Sequence, residues 1–179
     1  MKIEKRIALL EQILGEWREH VGQQYDAYRN HVYRMLNFCF ALHECAGDDR
    51  EKLIVAGCFH DLGIWPDDTV DYLQPSIELA KKYLRKNRKQ AWVPEIELMI
   101  DLHHKFRAAE NEDFPLVEVF RQADWIDVSL GVHSFGLPRG YIRSVQRTFP
   151  NLGFHKNLVR LTIAELSKNP LNPLPMMKW

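Results

Sequence analysis

Net charge is the first thing this sequence lacks. Its 24 Lys and Arg balance 24 Asp and Glu, so the formal charge at pH 7 is zero. That leaves no basic field of the kind that attracts nucleic-acid polymers, which argues against a DNA- or RNA-binding module but not against nucleotide-sized molecules. Cysteine is scarce as well. Cys39, Cys45 and Cys58 are odd in number and have no CxxC spacing, so reduced, packed thiols are expected, as suits a reducing compartment. Long apolar runs are missing: none approaches the ~18–20 residues needed to span a bilayer. The N-terminal stretch MKIEKRIALLEQILGEW carries charges throughout and reads as an amphipathic helix rather than a secretory signal. A cytoplasmic location is the expectation. The chain also has no internal repeat, no low-complexity tract and no strand-like alternation.

What is present is helical periodicity in a 179-residue chain that is 46% hydrophobic and 27% charged. A chain of this size fits one domain that buries about 70% of its unfolded surface. Ile3, Ile7, Leu10, Leu14, Trp17 and Val21 recur at steps of three and four, the mark of one buried helix face. A second helix is expected from about Asp26 to Cys45. Gly47-Asp48-Asp49 stops it and caps a third, which runs into His60-Asp61. Leu62-Gly63 ends that helix, and Trp65-Pro66-Asp67-Asp68 reads as a loop. Further helices are expected from Pro75-Ser76 to about Arg88, from Pro94 through His103-His104, from Pro115 through Ile126, and over 139–148 and 154–168. Residues 169–179 hold three prolines and read as an extended tail.

Within this pattern His31, His60-Asp61 and Asp124 form a set of metal-type ligands in a fixed order. Imidazole nitrogen and carboxylate oxygen together suit a borderline or hard divalent cation, and such a cation turns water into a nucleophile at neutral pH. A lone His-Asp dipeptide arises readily by chance, so the weight comes from order, spacing and context. His31 falls on the inner side of its helix. His60 and Asp61 follow the apolar run LIVAGCF at a helix C-terminus, where a carboxylate opposes the helix dipole and a cation compensates. Asp124 lies in VEVFRQADWIDV, where a buried carboxylate is costly unless paired or metal-bound. Asp127, one turn on, reads as a structural salt bridge or as a support for the ligands.

His103 and His104 have two readings. One is a hydrated polar helix face; the other is phosphate contact, proton transfer or ligation of a second ion, all suited to a pKa near neutrality. Lys105 and Arg107 are candidate phosphate contacts, Arg through its bidentate fork. Trp17 is read as core, while its neighbour Arg18 and Trp65 are candidates for contacting a base or sugar. Asp67 and Asp68 are read as solvated turn residues, with a base or a sugar-hydroxyl contact as the functional alternative.

The order His, His-Asp, Asp on successive helices resembles the HD-domain superfamily of metal-dependent phosphohydrolases. The words that carry the resemblance are NHVYRM around His31, LIVAGCFHDLG around His60-Asp61 and FRQADWID around Asp124, and it spans roughly residues 25–130. It implies an all-α fold with a central helical bundle, and it carries metal ligation onto His31, His60, Asp61 and Asp124. Many two-metal members have a further histidine at the start of the helix after the His-Asp word; the comparable position here is Ser76. Many also have a His-His pair before the last aspartate, kept here as His103-His104. The lysine often found after the His-Asp and glycine word is Ile64 here. The first departure favours one metal ion, and the retained pair leaves room for a second, weaker one.

The expectation is therefore a single all-α domain of about seven to eight helices over residues 1–168. Its activity would be cleavage of a phosphate ester of a small molecule, nucleotides included. One divalent ion (Mn, Fe, Co, Ni, Zn or Mg) would activate water, with Asp61, His103 and His104 as candidate catalytic groups. The alternatives are a di-iron oxygenase of the same fold and a non-catalytic, metal-stabilised ligand-binding domain. Neither a nucleic-acid polymer nor a membrane is expected as a partner. Homo-oligomerisation is left open, the apolar tail PLPMMKW being one surface for it.

Overall fold

The apolar periodicity folds into helices throughout the computed structural model, which describes residues 1–67, 71–168 and 177. Among the described residues, eight helices have eight or more residues: α1 (Ala8–Gly15), α3 (Tyr25–Leu42), α4 (Gly47–Phe59), α6 (Leu73–Lys86), α7 (Val93–Leu102), α8 (Leu116–Val128), α9 (Arg139–Thr148) and α10 (Phe154–Lys168). Two single turns, α2 (Arg18–Val21) and α5 (Ile64–Asp67), lie between them. No strand occurs among the described residues, and no helix there is long and apolar enough to cross a membrane. The all-α bundle expected from sequence is the fold observed.

Helix α3 is the axis of the bundle. Its residues Tyr28, Val32, Met35, Leu36 and Cys39 are all fully buried. It packs on α8 and α4, while α7 packs between α6 and α8. The α3–α4 approach is close because Gly57 has no side chain: a Cβ there would meet Met35 Cε at 3.0 Å and Leu36 Cδ2 at 3.2 Å. Each large apolar side chain buried in this way contributes about 1.5–3 kcal/mol. Cys39 and Cys58 are free and buried, and burial pushes both thiols well above their ordinary pKa.

Several boundaries differ from the sequence expectation. The first helix begins at Ala8 rather than at the start of the chain, and it breaks at Trp17. Residues before Ala8 are drawn into long-range bonds instead. Asn37 accepts from Glu4 N–H (2.8 Å) and donates to the Glu4 carbonyl (3.2 Å), and Tyr33 Oη accepts from Ile7 N–H (3.1 Å). Trp65-Pro66-Asp67 is a helical turn, not a loop. No side chain caps α4, whose acidic Asp48 and Asp49 sit in its first turn, where they suit the dipole. Helix α7 stops at Leu102, so His103 and His104 lie just past its end rather than on an exposed helix face. Helices over 139–148 and 154–168 occur where expected. Of the tail, residues 169–176, 178 and 179 lie outside the described residues, as does Asp68.

Candidate metal centre

Four elements converge on one buried point. His31 comes from the middle of α3, His60 and Asp61 from the end of α4, His103 from the end of α7, and Asp124 from α8. His31, His60 and His103 are fully buried; Asp61 and Asp124 are 3% and 1% exposed. Adjacent side chains on a regular helix diverge by about 100°. The chain removes that divergence at His60-Asp61 by tightening as α4 ends, with Leu62 N–H bonded to the Phe59 carbonyl (3.0 Å) and Ile64 N–H to that of Asp61 (3.1 Å). As a result His60 Nε2 and Asp61 Oδ2 stand 3.3 Å apart. Gly63 makes the turn possible: a Cβ there would lie 2.6 Å from the Tyr72 carbonyl and 2.8 Å from Ser76 N. Ser76 then accepts a hydrogen bond from Gly63 N–H (2.9 Å). Ser76 thus buttresses the His-Asp turn.

The tautomers of the histidines follow from their outer partners. Backbone carbonyls only accept, so Gly57 fixes His60 as Nδ1–H (2.9 Å) and Ile100 fixes His103 as Nδ1–H (2.7 Å). His31 Nδ1 donates to Asp127 Oδ2 (2.7 Å). Each ring therefore turns its Nε2 inward. His31 Nε2 and His60 Nε2 face each other at 3.0 Å. Asp124 Oδ1 lies 3.5 Å from His31 Nε2 and 3.9 Å from His60 Nε2, and His103 Nε2 lies 3.4 Å from Asp61 Oδ1. Asp61 Oδ1, His103 Nε2 and both carboxylate oxygens of Asp124 are buried without a hydrogen-bond partner. Buried lone pairs gathered without a donor repel one another and are costly. A divalent cation removes that cost, so this donor set fits one.

The electrostatics agree. Burial holds His60 down to about 3, so its ring stays neutral. Burial pushes Asp124 up to about 6. Asp61 is also buried, but His60, His103 and His31 outweigh that effect and hold it well below the carboxylate range. For His103, burial opposes the charged ring, and the Asp61 and Asp124 carboxylates prevail to raise its pKa. Without a cation, protons relieve the same repulsion.

The donors form two overlapping groups, His31–His60–Asp61 and Asp61–His103–His104, each with ligand atoms within 4.8 Å of one another. His104 is partly exposed; its Nδ1 is 3.6 Å from Asp124 Oδ2 and its Nε2 is 2.7 Å from Tyr72 Oη. The hydrated-face reading of this pair therefore fails for His103, which is fully buried. Nothing in the sequence around Tyr72 pointed to the site. The same is true of Arg34, which donates to both oxygens of Asp127 (2.5 and 2.8 Å) and to the Phe149 carbonyl (3.0 Å). Asp127 fills both roles considered for it, pairing with Arg34 and orienting His31. Phe154, the first residue of α10, stacks on the His31 ring at 4.2 Å.

The other sequence candidates lie farther out. Arg18 stacks over the Tyr25 ring at 3.9 Å, and Trp65 packs against Tyr28 at 4.7 Å. The Lys105 carbonyl accepts from Arg121 and from Trp125 Nε1, and Arg107 is exposed. Neither Lys105 nor Arg107 is among the described residues lining the cavity of about 200 Å³ that opens beside Asp124 and His104. Asp67 falls in α5, and Asp68 lies outside the described residues.

No curated protein and no solved structure matches the chain. The family model for the HD domain matches it over residues 28–129, which takes in the α3 histidine, the His-Asp turn and the α8 aspartate. On that match, over more than half its length, and on the geometry it encloses, this chain belongs to the HD-domain family.

Proposed function

We propose that this protein is a metal-dependent phosphohydrolase acting on a small phosphorylated molecule, nucleotides included. The observation that carries the reading is the buried convergence of imidazole Nε2 atoms and unpartnered carboxylate oxygens on one point. His31, His60 and Asp61 would hold a divalent cation, with Asp124 Oδ1, 3.5 Å from His31 Nε2, as a fourth donor, and Asp61, His103 and His104 would hold a second. A cation bound there supplies Lewis acidity toward water and toward a phosphoryl oxygen.

The chain's own residues do the rest. The Gly57 and Ile100 carbonyls and Asp127 hold three rings in the tautomer that presents Nε2. The packing of Phe120 against His60 and His103 and of Phe154 against His31 excludes bulk water and strengthens every charge interaction inside. Asp61 or His103, whose Nε2 lies 3.4 Å from Asp61 Oδ1, would take the proton of attacking water where it is not itself holding a cation. His104, tied to Tyr72, faces the cavity where the organic part of a substrate sits.

The test is hydrolysis of a panel of phosphomonoesters by protein loaded with Mn, Co or Ni, against Asp61→Ala. Turnover above background that drops at least about 10³-fold in the variant supports the reading. Metal-loaded protein that hydrolyses no phosphoester contradicts it. The second donor group favours one alternative, a di-iron oxygenase, which would instead show two irons per chain and substrate-dependent O₂ uptake.

A further inference from the structure

The cavity beside Asp124 and His104 is not built for charge. Its wall is made by Ile64 of α5, Trp125 and Val128 of α8, Leu158 and Leu161 of α10, and Met177. Apart from the donor Asp124, the ring polar groups of the wall are engaged. Trp125 Nε1 donates to the Lys105 carbonyl at 3.2 Å, and Tyr72 Oη is bonded to His104 at 2.7 Å. Among the described lining residues only the Thr162 hydroxyl remains as a polar group away from the donor cluster. A charged or strongly polar occupant would lose its hydration here without replacement, whereas an apolar one gains by leaving water. The size is suitable too: a dry cavity of about 150 Å³ is enough to take benzene, and this one is about 200 Å³.

Position turns this cavity into a statement about substrate. It shares Asp124 and His104 with the donor cluster, so whatever fills it is attached within bond reach of the reacting centre. Three of its walls come from α10, outside the residues matched by the family. We infer that this cavity is a subsite for an apolar organic group, and that the substrate class is a phosphate monoester of an aryl or branched-alkyl alcohol. The inference rests on the phosphohydrolase reading for the word ester, but not for the subsite itself. Hydrolysis would break the P–O ester bond, add the oxygen of water to phosphorus and return one proton to the leaving alcohol.

Calorimetric titration of Mn-loaded protein with phenylphosphonate and methylphosphonate tests the subsite without turnover. Phenylphosphonate should bind at least about tenfold more tightly. Filling the cavity with Leu161→Trp, or separately with Thr162→Trp at its rim, should abolish that preference and leave methylphosphonate affinity unchanged. Two substitutions guard against one that misfolds, with circular dichroism as the check. Equal affinities in the unaltered protein, a preference that survives both folded variants, or no binding of either phosphonate would overturn the inference. Phenyl phosphate turnover separates the two claims. Selective phosphonate binding without hydrolysis upholds the subsite and defeats the hydrolase, whereas hydrolysis without phenyl selectivity defeats the subsite.

Discussion

Asp127 sits at 1% exposure between Arg34 and His31 and accepts hydrogen bonds from both. Burial alone would raise its pKa, but His31 and Arg34 outweigh that and hold the carboxyl far below its ordinary value. A depressed carboxylate stabilises the fold fully above its unfolded value, and that contribution is lost as pH falls below about 4. Asp127→Asn leaves the Arg34 charge buried and unpaired, so it should cost about 3 kcal/mol in urea unfolding at pH 7. The deficit relative to the parent should shrink as pH drops below about 4. Because Asp127 also fixes the His31 tautomer, the same substitution should weaken metal binding by about 10–100-fold. An Asp127→Asn protein as stable and as metal-avid as the parent would show that neither contact matters. At the neighbouring cluster, His103→Ala should keep about one ion per chain, since the donors His31, His60, Asp61 and Asp124 remain.

At the level of elements, the turn between α4 and α6 carries the geometry. Gly63→Ala would drive a Cβ into the Tyr72 carbonyl, a backbone atom that cannot step aside cheaply. A loss of about 2–3 kcal/mol is expected in thermal or chemical unfolding, together with weaker metal binding as the His-Asp turn shifts. A neutral Gly63→Ala would contradict the close approach. The helices themselves were largely readable, because α9 and α10 announce themselves through apolar spacing flanked by Pro138, Pro150 and Gly153. The N-terminal stretch misled for a physical reason. Ile3 and Ile7 continue the helical spacing, but the backbone of Glu4 and Ile7 is claimed by Asn37 and Tyr33, 33 and 26 residues away. Local periodicity carries no trace of such bonds. The same limit hid Tyr72 and Arg34, whose roles depend on partners 32 and 93 positions distant. His60-Asp61 and Asp124 were legible as costly polar residues inside apolar words, and His31 through the order it completes with them on successive helices.

Taken as a whole, the molecule wraps a bundle around charges and lone pairs that it does not itself neutralise. Only deprotonated groups ligate, and Asp124 is held up to about 6 by burial. Its proton therefore competes with a cation below that value, and apparent metal affinity should fall steeply as pH drops below about 6. Fluorescence or calorimetric titrations at pH 5 and 7.5 check this; equal affinities would contradict it. Binding to the folded state alone should also raise stability, by about 2.7 kcal/mol at a free metal concentration of 100 Kd. The measurement that bears most directly on the centre is metal content per chain, by inductively coupled plasma mass spectrometry, on protein purified without chelator, beside Asp61→Ala. Because Asp61 belongs to both donor groups, the account predicts one to two divalent ions per chain in the parent and none in the variant. A folded parent that retains no metal after soaking in Mn or Ni, or a variant that keeps the parent's full content, would contradict it.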